Sequence, residues 1–430
     1  MKTQLLLVVL LFTNALPATP ADFVDNVTTE LGTFRGVPYL RHRGRFVGAT
    51  SLGGFRMPYD IIAPAKPSRG NGTVLMEPPH FAFGAVARDF VLGREFLFDR
   101  GYSYASVGFG LNGLNVLDPT STDLILAGAP VPPGGGISLG ALVDEEILVQ
   151  FTQALTTDPS LHNLLGRLER IYAYGVSQTS GVLLETLHGP MGQGLFDFAL
   201  LHIALWRPPF QPPGVYQHIT GEYLPVGEVG RVMFVESEGD QIASDSEQFR
   251  RAVGEESYRV YEVAGAAHQP TALNPLDHFA VVRALFVAGD LWVRLGVEPP
   301  PSTLIEESTT GDPDPVVGFF TGIARDEELN ALGGVRLPDL ALGRAQYIAS
   351  DFSQGGLPGL LGNSVDLTCE PRPGSSTGRP RFRNHGQYVS GVTSHALALR
   401  RAHFLLVEDA VALVQQAAES DVGKPGTCAP

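Results

Sequence analysis

The sequence predicts an α/β fold: a mostly parallel central sheet flanked by helices, with a C-terminal extension packed on the core. Three observations carry that expectation. Strand-favouring and helix-favouring segments alternate along most of the 430 residues. The strand-like segments are apolar on both faces instead of alternating, as in a parallel sheet covered by helices. One of them, Arg170 to Tyr174, runs into a Gly-x-Ser turn and leaves it as a helix-like pattern, the strand-turn-helix context of a serine nucleophile elbow.

Taken in order, residues 34–59 read as short extended pieces separated by glycine clusters, and 59–64 as a strand ending at a proline-rich turn. The core is expected to start at Thr73. A strand over 73–77 stops at Pro78-Pro79, helical spacing of Val86, Phe90, Phe96 and Leu97 follows within 85–100, and 102–108 reads as the next strand. Residues 143–156 and the run through Leu161, Leu164, Leu165 and Leu168 read as helix. They deliver the chain to a strand over 171–174, the elbow, and a helix through Leu187. The apolar stretch 196–206 fits a buried strand or helix, closed by the proline-rich loop 208–213. Strand 231–236, helix 244–253, strand 258–263 and helix 277–289 complete the alternation.

Pro299-Pro300-Pro301 and Asp312-Pro313-Asp314-Pro315 bracket a linker-like piece, and nothing after it restarts a sheet. Residues beyond 333 are too irregular for an independent domain, and a terminal helix is expected over 394–417. Residues 22–430 thus read as one domain, with 300–430 as a lid or C-terminal extension. No internal repeats occur.

At the N-terminus, Met1-Lys2, an apolar run over 5–12 and the small residues of 15–21 read as a signal peptide cleaved near Ala21. The chain is accordingly expected to be secreted, extracellular or periplasmic. No other uninterrupted apolar stretch of about 18 residues occurs, which argues against an integral membrane protein. The net charge of −15 and the lack of Lys/Arg blocks argue against nucleic acid or an anionic membrane as partner. The two cysteines, Cys369 and Cys428, permit a disulfide in an exported chain. Their number excludes cysteine-built zinc or iron-sulfur sites, and the eleven histidines show no metal-ligand spacing, so no metal or cofactor is expected. Asn26-Val27-Thr28 and Asn71-Gly72-Thr73 are glycosylation sequons in a eukaryotic host; the second reads equally as the turn that starts the 73–77 strand.

Chemistry is read outward from Ser177, the candidate nucleophile, at the centre of Gly175-Val176-Ser177-Gln178-Thr179. Thr179 stands where the usual Gly-x-Ser-x-Gly pattern has its second glycine. Two loops downstream supply partners in a fitting order. After strand 231–236 comes Glu236-Ser237-Glu238-Gly239-Asp240, with Asp240 as the candidate acid and Glu238 as its competitor. After strand 258–263 comes Ala264-Gly265-Ala266-Ala267-His268, with His268 as the candidate general base. An oxyanion hole needs two aimed N–H groups. Gln178 supplies one, and His80 or Phe81 the other, since Pro78 and Pro79 have none. The plain alternatives are an ordinary turn serine, a surface Gly-Asp turn and a hydrogen-bonded structural histidine; three loops in the required order outweigh them jointly.

These residues resemble the α/β-hydrolase superfamily, and within it an exported or bacterial group described as an alpha/beta hydrolase domain family. The matching pieces are Asn71-Gly72-Thr73-Val74-Leu75-Met76-Glu77, Arg100-Gly101-Tyr102-Ser103-Tyr104-Ala105-Ser106-Val107, the elbow Gly175-Val176-Ser177-Gln178-Thr179-Ser180-Gly181, and Gly333-Gly334-Val335-Arg336-Leu337-Pro338-Asp339. The resemblance spans most of the mature chain and supports Ser177 and His268. It implies a secreted serine hydrolase, first of all a carboxylic ester hydrolase working through an acyl-enzyme. Separately from the resemblance, Tyr174, Phe81 and Trp206 are expected near a pocket that favours a small ester with an apolar or aromatic acyl or alcohol group. An acyltransferase or amidase on the same triad, and a ligand-binding hydrolase-fold protein without turnover, are the alternatives. The oligomeric state is left open.

Overall fold

The computed structural model describes residues 21–50, 53–80, 84–109, 123–124, 137–188, 192, 194–204, 230–243, 256–318, 321–351, 359–375 and 380–428, and every statement below concerns these. The expected signal peptide, apart from Ala21, the loop 208–213, the helix 244–253, Phe81 and Trp206 lie outside the described residues.

The main sheet is built from β1 (Asp22–Phe34), β2 (Val37–Thr50), β3 (Gly53–Pro64), β4 (Thr73–Met76), β5 (Ser103–Val107), β6 (Asp123–Leu124), β7 (Arg170–Val176), β8 (Phe198–His202), β9 (Arg231–Ser237) and β10 (Tyr258–Val263). Their order is β1-β2-β3-β5-β4-β7-β8-β9-β10, with β6 paired to β3. From β5 through β10 each neighbouring pair is parallel. Buried Val74-Leu75-Met76, Ala173-Tyr174 and Val232 to Val235 show why these strands read as continuous apolar runs: both faces are covered.

The N-terminal part departs from expectation. In place of short pieces it forms a long antiparallel meander, β1 to β3, that joins the parallel strands through β5. The core therefore begins well before Thr73, with Phe23, Phe46, Phe55, Met57 and Tyr59 buried. β1 is the outermost strand; its register on β2 breaks between Val24 and Val27 and again between Glu30 and Gly32.

Helices α1 (Arg94–Phe98), α2 (Ile137–Thr157), α3 (Pro159–Leu165), α4 (Gln178–His188), α5 (Glu238–Ala243) and α6 (Phe279–Leu295) accompany the sheet. The helix expected over 85–100 is instead a π-helical turn, Ala87–Val91, followed by α1 after Gly93 at φ 88°. On one face Val281, Val282, Leu285 and Phe286 of α6 pack with Tyr172, Phe198 and Leu200. On the other, Leu148 and Phe151 of α2 and Leu183 and Leu187 of α4 pack with Ala173, Leu201 and Phe234.

Beyond residue 300 the chain adds Thr303 and Val335 as parallel bridges beside β10, α7 (Pro338–Ala341), and a separate hairpin of β11 (Ala345–Ile348) with β12 (Asn363–Asp366). The single terminal helix expected over 394–417 is two, α8 (His385–Arg401) and α9 (Val407–Glu419), separated by a turn in which His403 has φ 65°. Phe404, Leu405 and Ala410 join the same core as α6. Cys369 and Cys428 form a disulfide. The Asn71-Gly72 pair is a turn, with Gly72 at φ 75° and the Thr73 amide donating to Asn71 Oδ1 at 2.9 Å. Among the described residues no helix is long and apolar enough to cross a membrane.

Candidate active site

Because β4, β7, β8, β9 and β10 run parallel, the segments that follow them emerge at one edge of the sheet, the place where open α/β sheets carry their sites. Ser177, the loop starting at Glu77, the 236–240 segment and the 264–268 loop all stand there.

Ser177 follows β7 directly and is held at φ 54°, a left-handed conformation rare for a side-chain-bearing residue and characteristic of strained functional turns. Its own amide donates to the His202 carbonyl at 2.9 Å, and its carbonyl accepts from Ser180 N–H at 3.1 Å, closing the turn into α4. Gly175 is required by close approach: a Cβ there would lie 2.7 Å from Ser180 Cα. Thr179 has its own function. Its buried Oγ1 accepts from the Val176 amide and donates to the Val176 carbonyl, both at 2.9 Å, stapling the end of β7 to the start of α4. Gln178 is the first residue of α4, so its amide has no intrahelical acceptor.

Asp240 and His268 meet. Asp240 Oδ1 accepts from His268 Nδ1 at 2.7 Å, which leaves Nε2 as the acceptor facing away from the carboxylate. The Ser237 hydroxyl donates to Asp240 Oδ2 at 2.5 Å and accepts from the Asp240 amide at 3.0 Å, so the acid is fixed on both oxygens. Burial alone would lower the His268 pKa, but the charge and hydrogen bond of Asp240 raise it above the ordinary imidazole value. Among the described residues Ser177 Oγ makes no hydrogen bond to His268; such contacts are often long in unliganded sites.

Glu238, the competing acid, is engaged elsewhere. One carboxylate oxygen accepts from Arg325 Nη1 and the other from the Gly265 amide, both at 2.6 Å. The His80 amide, expected as an oxyanion donor, is likewise taken: it donates to the Gly84 carbonyl at 2.8 Å in a small antiparallel bridge. The bridge is reciprocal, the Gly84 amide donating to the His80 carbonyl at 2.9 Å, and the local sequence does not disclose it. The His80 imidazole is buried, and burial with the nearby His268 charge lowers its pKa to about 4. Tyr174, expected near a pocket wall, is fully buried beneath the site, its hydroxyl 2.8 Å from His202 Nδ1.

Glu77, Glu236 and His278 escaped the sequence reading, whereas His202, flanking the elbow helix, is a pocket-lining candidate in the sequence. Glu77, at the exit of β4, is fully buried and accepts from the Ala87 amide at 2.6 Å and the Tyr104 hydroxyl at 2.9 Å, tying the loop after β4 to the π-helical turn. Burial raises its carboxyl to about 7 against the opposing pull of those bonds and of Arg88. Glu236 is buried beside Asp240, and burial together with the Asp240 and Glu262 charges raises its carboxyl well above the usual range. His202 and His278 pack with ring centroids 5.0 Å apart under the site. Burial lowers both, His278 to about 4 against the opposing pull of the Asp240 charge. The Tyr104 hydroxyl that reaches Glu77 and the Ala204 amide that reaches Glu236 come from distant segments, so the local sequence carries no signal of them. A cavity of about 270 Å³ lined by Gln153, Leu168, Arg170 and Gly194 opens near the start of β7, at the edge of the sheet opposite Ser177.

The chain matches the alpha/beta hydrolase domain family over residues 60–415. No curated protein matches it in sequence. Among solved structures it is similar to acetyl xylan esterase 1 from Thermoanaerobacterium sp., with 13% identity and TM-score 0.38 over 58% of this chain and 84% of that one. It is also similar to an acetyl xylan esterase from Paenibacillus sp., with 12% identity and TM-score 0.35 over 55% and 82% of the two chains. A serine hydrolase from Xanthomonas campestris gives 10% identity and TM-score 0.30 over 54% and 86%.

Proposed function

Since the chain belongs to the alpha/beta hydrolase domain family, we propose that it is a secreted serine hydrolase that cleaves carboxylic esters through Ser177, His268 and Asp240. One observation carries the reading: the 2.7 Å bond from His268 Nδ1 to Asp240, at the same sheet edge where Ser177 is held at φ 54° between strand and helix. In this mechanism His268 Nε2 removes the hydroxyl proton as Ser177 Oγ attacks the ester carbonyl. The Gln178 amide, at the N-terminus of α4, stabilises the oxyanion. The imidazolium, held by Asp240, returns its proton to the leaving alcohol, and an acyl-enzyme remains. Water activated by the same imidazole then releases the acid and restores Ser177. The substrate is a small ester.

Labelling of the purified protein with a fluorophosphonate probe tests the nucleophile: wild type labels, while Ser177→Ala and His268→Ala do not. A folded wild-type protein that resists the probe removes the serine-hydrolase reading. Turnover of short p-nitrophenyl esters against amides and acyl acceptors separates esterase from amidase and transferase. Asp240→Asn should lower kcat by roughly 10⁴, the cost of losing the correct imidazole tautomer, and Glu238→Gln by far less; equal, mild losses would remove Asp240 from its role. Export predicts a mature N-terminus near Asp22, which N-terminal sequencing of the secreted protein reads directly.

A further inference from the structure

The acid and histidine segments are held by more than their own strands. Glu238 lies between two partners: the Gly265 amide, three residues before His268, and Arg325, from beyond the linker-like prolines. The Arg325 side chain is 5% exposed and faces two carboxylates, Glu238 on one side and Asp314 on the other, with Nη2 2.7 Å from Asp314 Oδ2. Asp314 is in turn held by the Thr321 hydroxyl at 2.7 Å and the Val316 amide at 2.9 Å. Gly265 has φ +74° and sits under Leu340, whose Cδ1 would be 2.2 Å from a Cβ at that position. The His268 amide donates to the Leu360 carbonyl at 3.0 Å, and Ser350 Oγ donates to Gly239 O at 3.2 Å. Arg325, Leu340, Ser350 and Leu360 all lie in the C-terminal extension.

We propose that Arg325 is a positioning residue for catalysis: through Glu238 it fixes the Gly265 amide and thereby the orientation of His268 toward Asp240, which brings this one side chain of the C-terminal extension into the service of the site. This rests on the serine-hydrolase reading for its kinetic consequence, but the positioning itself does not. A guanidinium fork suits the task because it joins two carboxylates in fixed geometry. A lysine offers a point charge and no such fork. Buried ion pairs are poor sources of net stability, so a triad of this kind is better explained by the geometry it imposes.

The test uses the full-length protein. The Nδ1 proton of His268, hydrogen-bonded to Asp240, gives a low-field proton resonance, assigned by its loss in His268→Ala. Arg325→Met is expected to shift or broaden that resonance and to lower kcat about tenfold to a hundredfold, the scale of a misplacement near 1 Å, with KM changed by less than about threefold. Asp314→Asn, which leaves the bond from Arg325 to Glu238 in place, is expected to lower thermal stability with the resonance and kcat retained. A folded Arg325→Met protein with an unchanged resonance overturns the proposal, as does equal disturbance by Asp314→Asn. Should Arg325→Met not fold, the pair Arg325→Met/Glu238→Gln removes both facing charges and should still displace the resonance; an unchanged signal there overturns the proposal equally. If wild type shows the resonance but neither labels with the probe nor turns over esters, the serine-hydrolase reading fails while the resonance still decides the tether.

Discussion

Restoring the familiar elbow glycine, Thr179→Gly, is expected to damage the protein. Thr179 Oγ1 closes two hydrogen bonds with Val176, at 2.9 Å each, in a position with no solvent access. Thr179→Val keeps the shape and removes both bonds; depriving a buried amide of its acceptor costs about 1–3 kcal/mol. Thr179→Gly adds about 1 kcal/mol for a glycine in a helical first turn, and more for the lost methyl contact, so about 3 kcal/mol in all. Thr179→Ser retains the hydroxyl and should stay within about 1 kcal/mol of wild type. Urea unfolding of the four proteins gives the order wild type, Ser, Val, Gly from most to least stable. Fluorophosphonate labelling should slow in the same order, because the staple sets where Ser177 stands. A Thr179→Gly protein that equals or exceeds wild type in both measurements refutes the reasoning.

Gly175→Ala places a Cβ 2.7 Å from Ser180 Cα where ordinary contact begins near 3.4 Å, so the backbone must move by about 0.7 Å; labelling is expected to slow roughly ten- to a hundredfold, and an unchanged rate refutes the close-approach explanation. Glu77 titrates from 4.5 when exposed to about 7 in the fold. The folded protein therefore holds this proton more tightly, and stability falls as pH rises between those values, by about 3 kcal/mol at 1.36 kcal/mol per unit. Unfolding at pH 5 and pH 8 should show this slope in wild type and lose it in Glu77→Gln; parallel profiles would refute it. The disulfide joins residues separated by 59 positions, so Cys369→Ser/Cys428→Ser should lose about 4 kcal/mol by the loop-entropy relation; denaturant unfolding that shows no loss would refute that estimate.

The parallel strands were legible because burial on both faces writes them as unbroken apolar runs, such as Ile171 to Val176 and Val232 to Val235. The meander was not, because β2 carries Arg41, Arg43, Arg45 and the glycines 44 and 48, which look like loop. Gly44 is there since a Cβ would meet Val24 O at 2.5 Å, a cross-strand approach that local sequence does not reveal. Chain order alone brought forward Ser177, Asp240 and His268. What separates Asp240 from Glu238 is Arg325, which approaches from far along the chain and selects one carboxylate by an ion pair at 2.6 Å. The His80 amide was misread for a similar reason: its acceptor, the Gly84 carbonyl, is close in sequence, but the bridge between them is set by folding.

Among the described residues nothing pairs with the outer edge of β1, and a continuous outer strand of that kind is a template on which further chains can stack. Here the register breaks at Val24/Val27 and Glu30/Gly32 cut the strand into aligned stretches of at most four residues, with Asp25 at φ 55° inside the first break. The irregularity blunts β-type self-association, guarding against aggregation at the end of the sheet farthest from the chemistry.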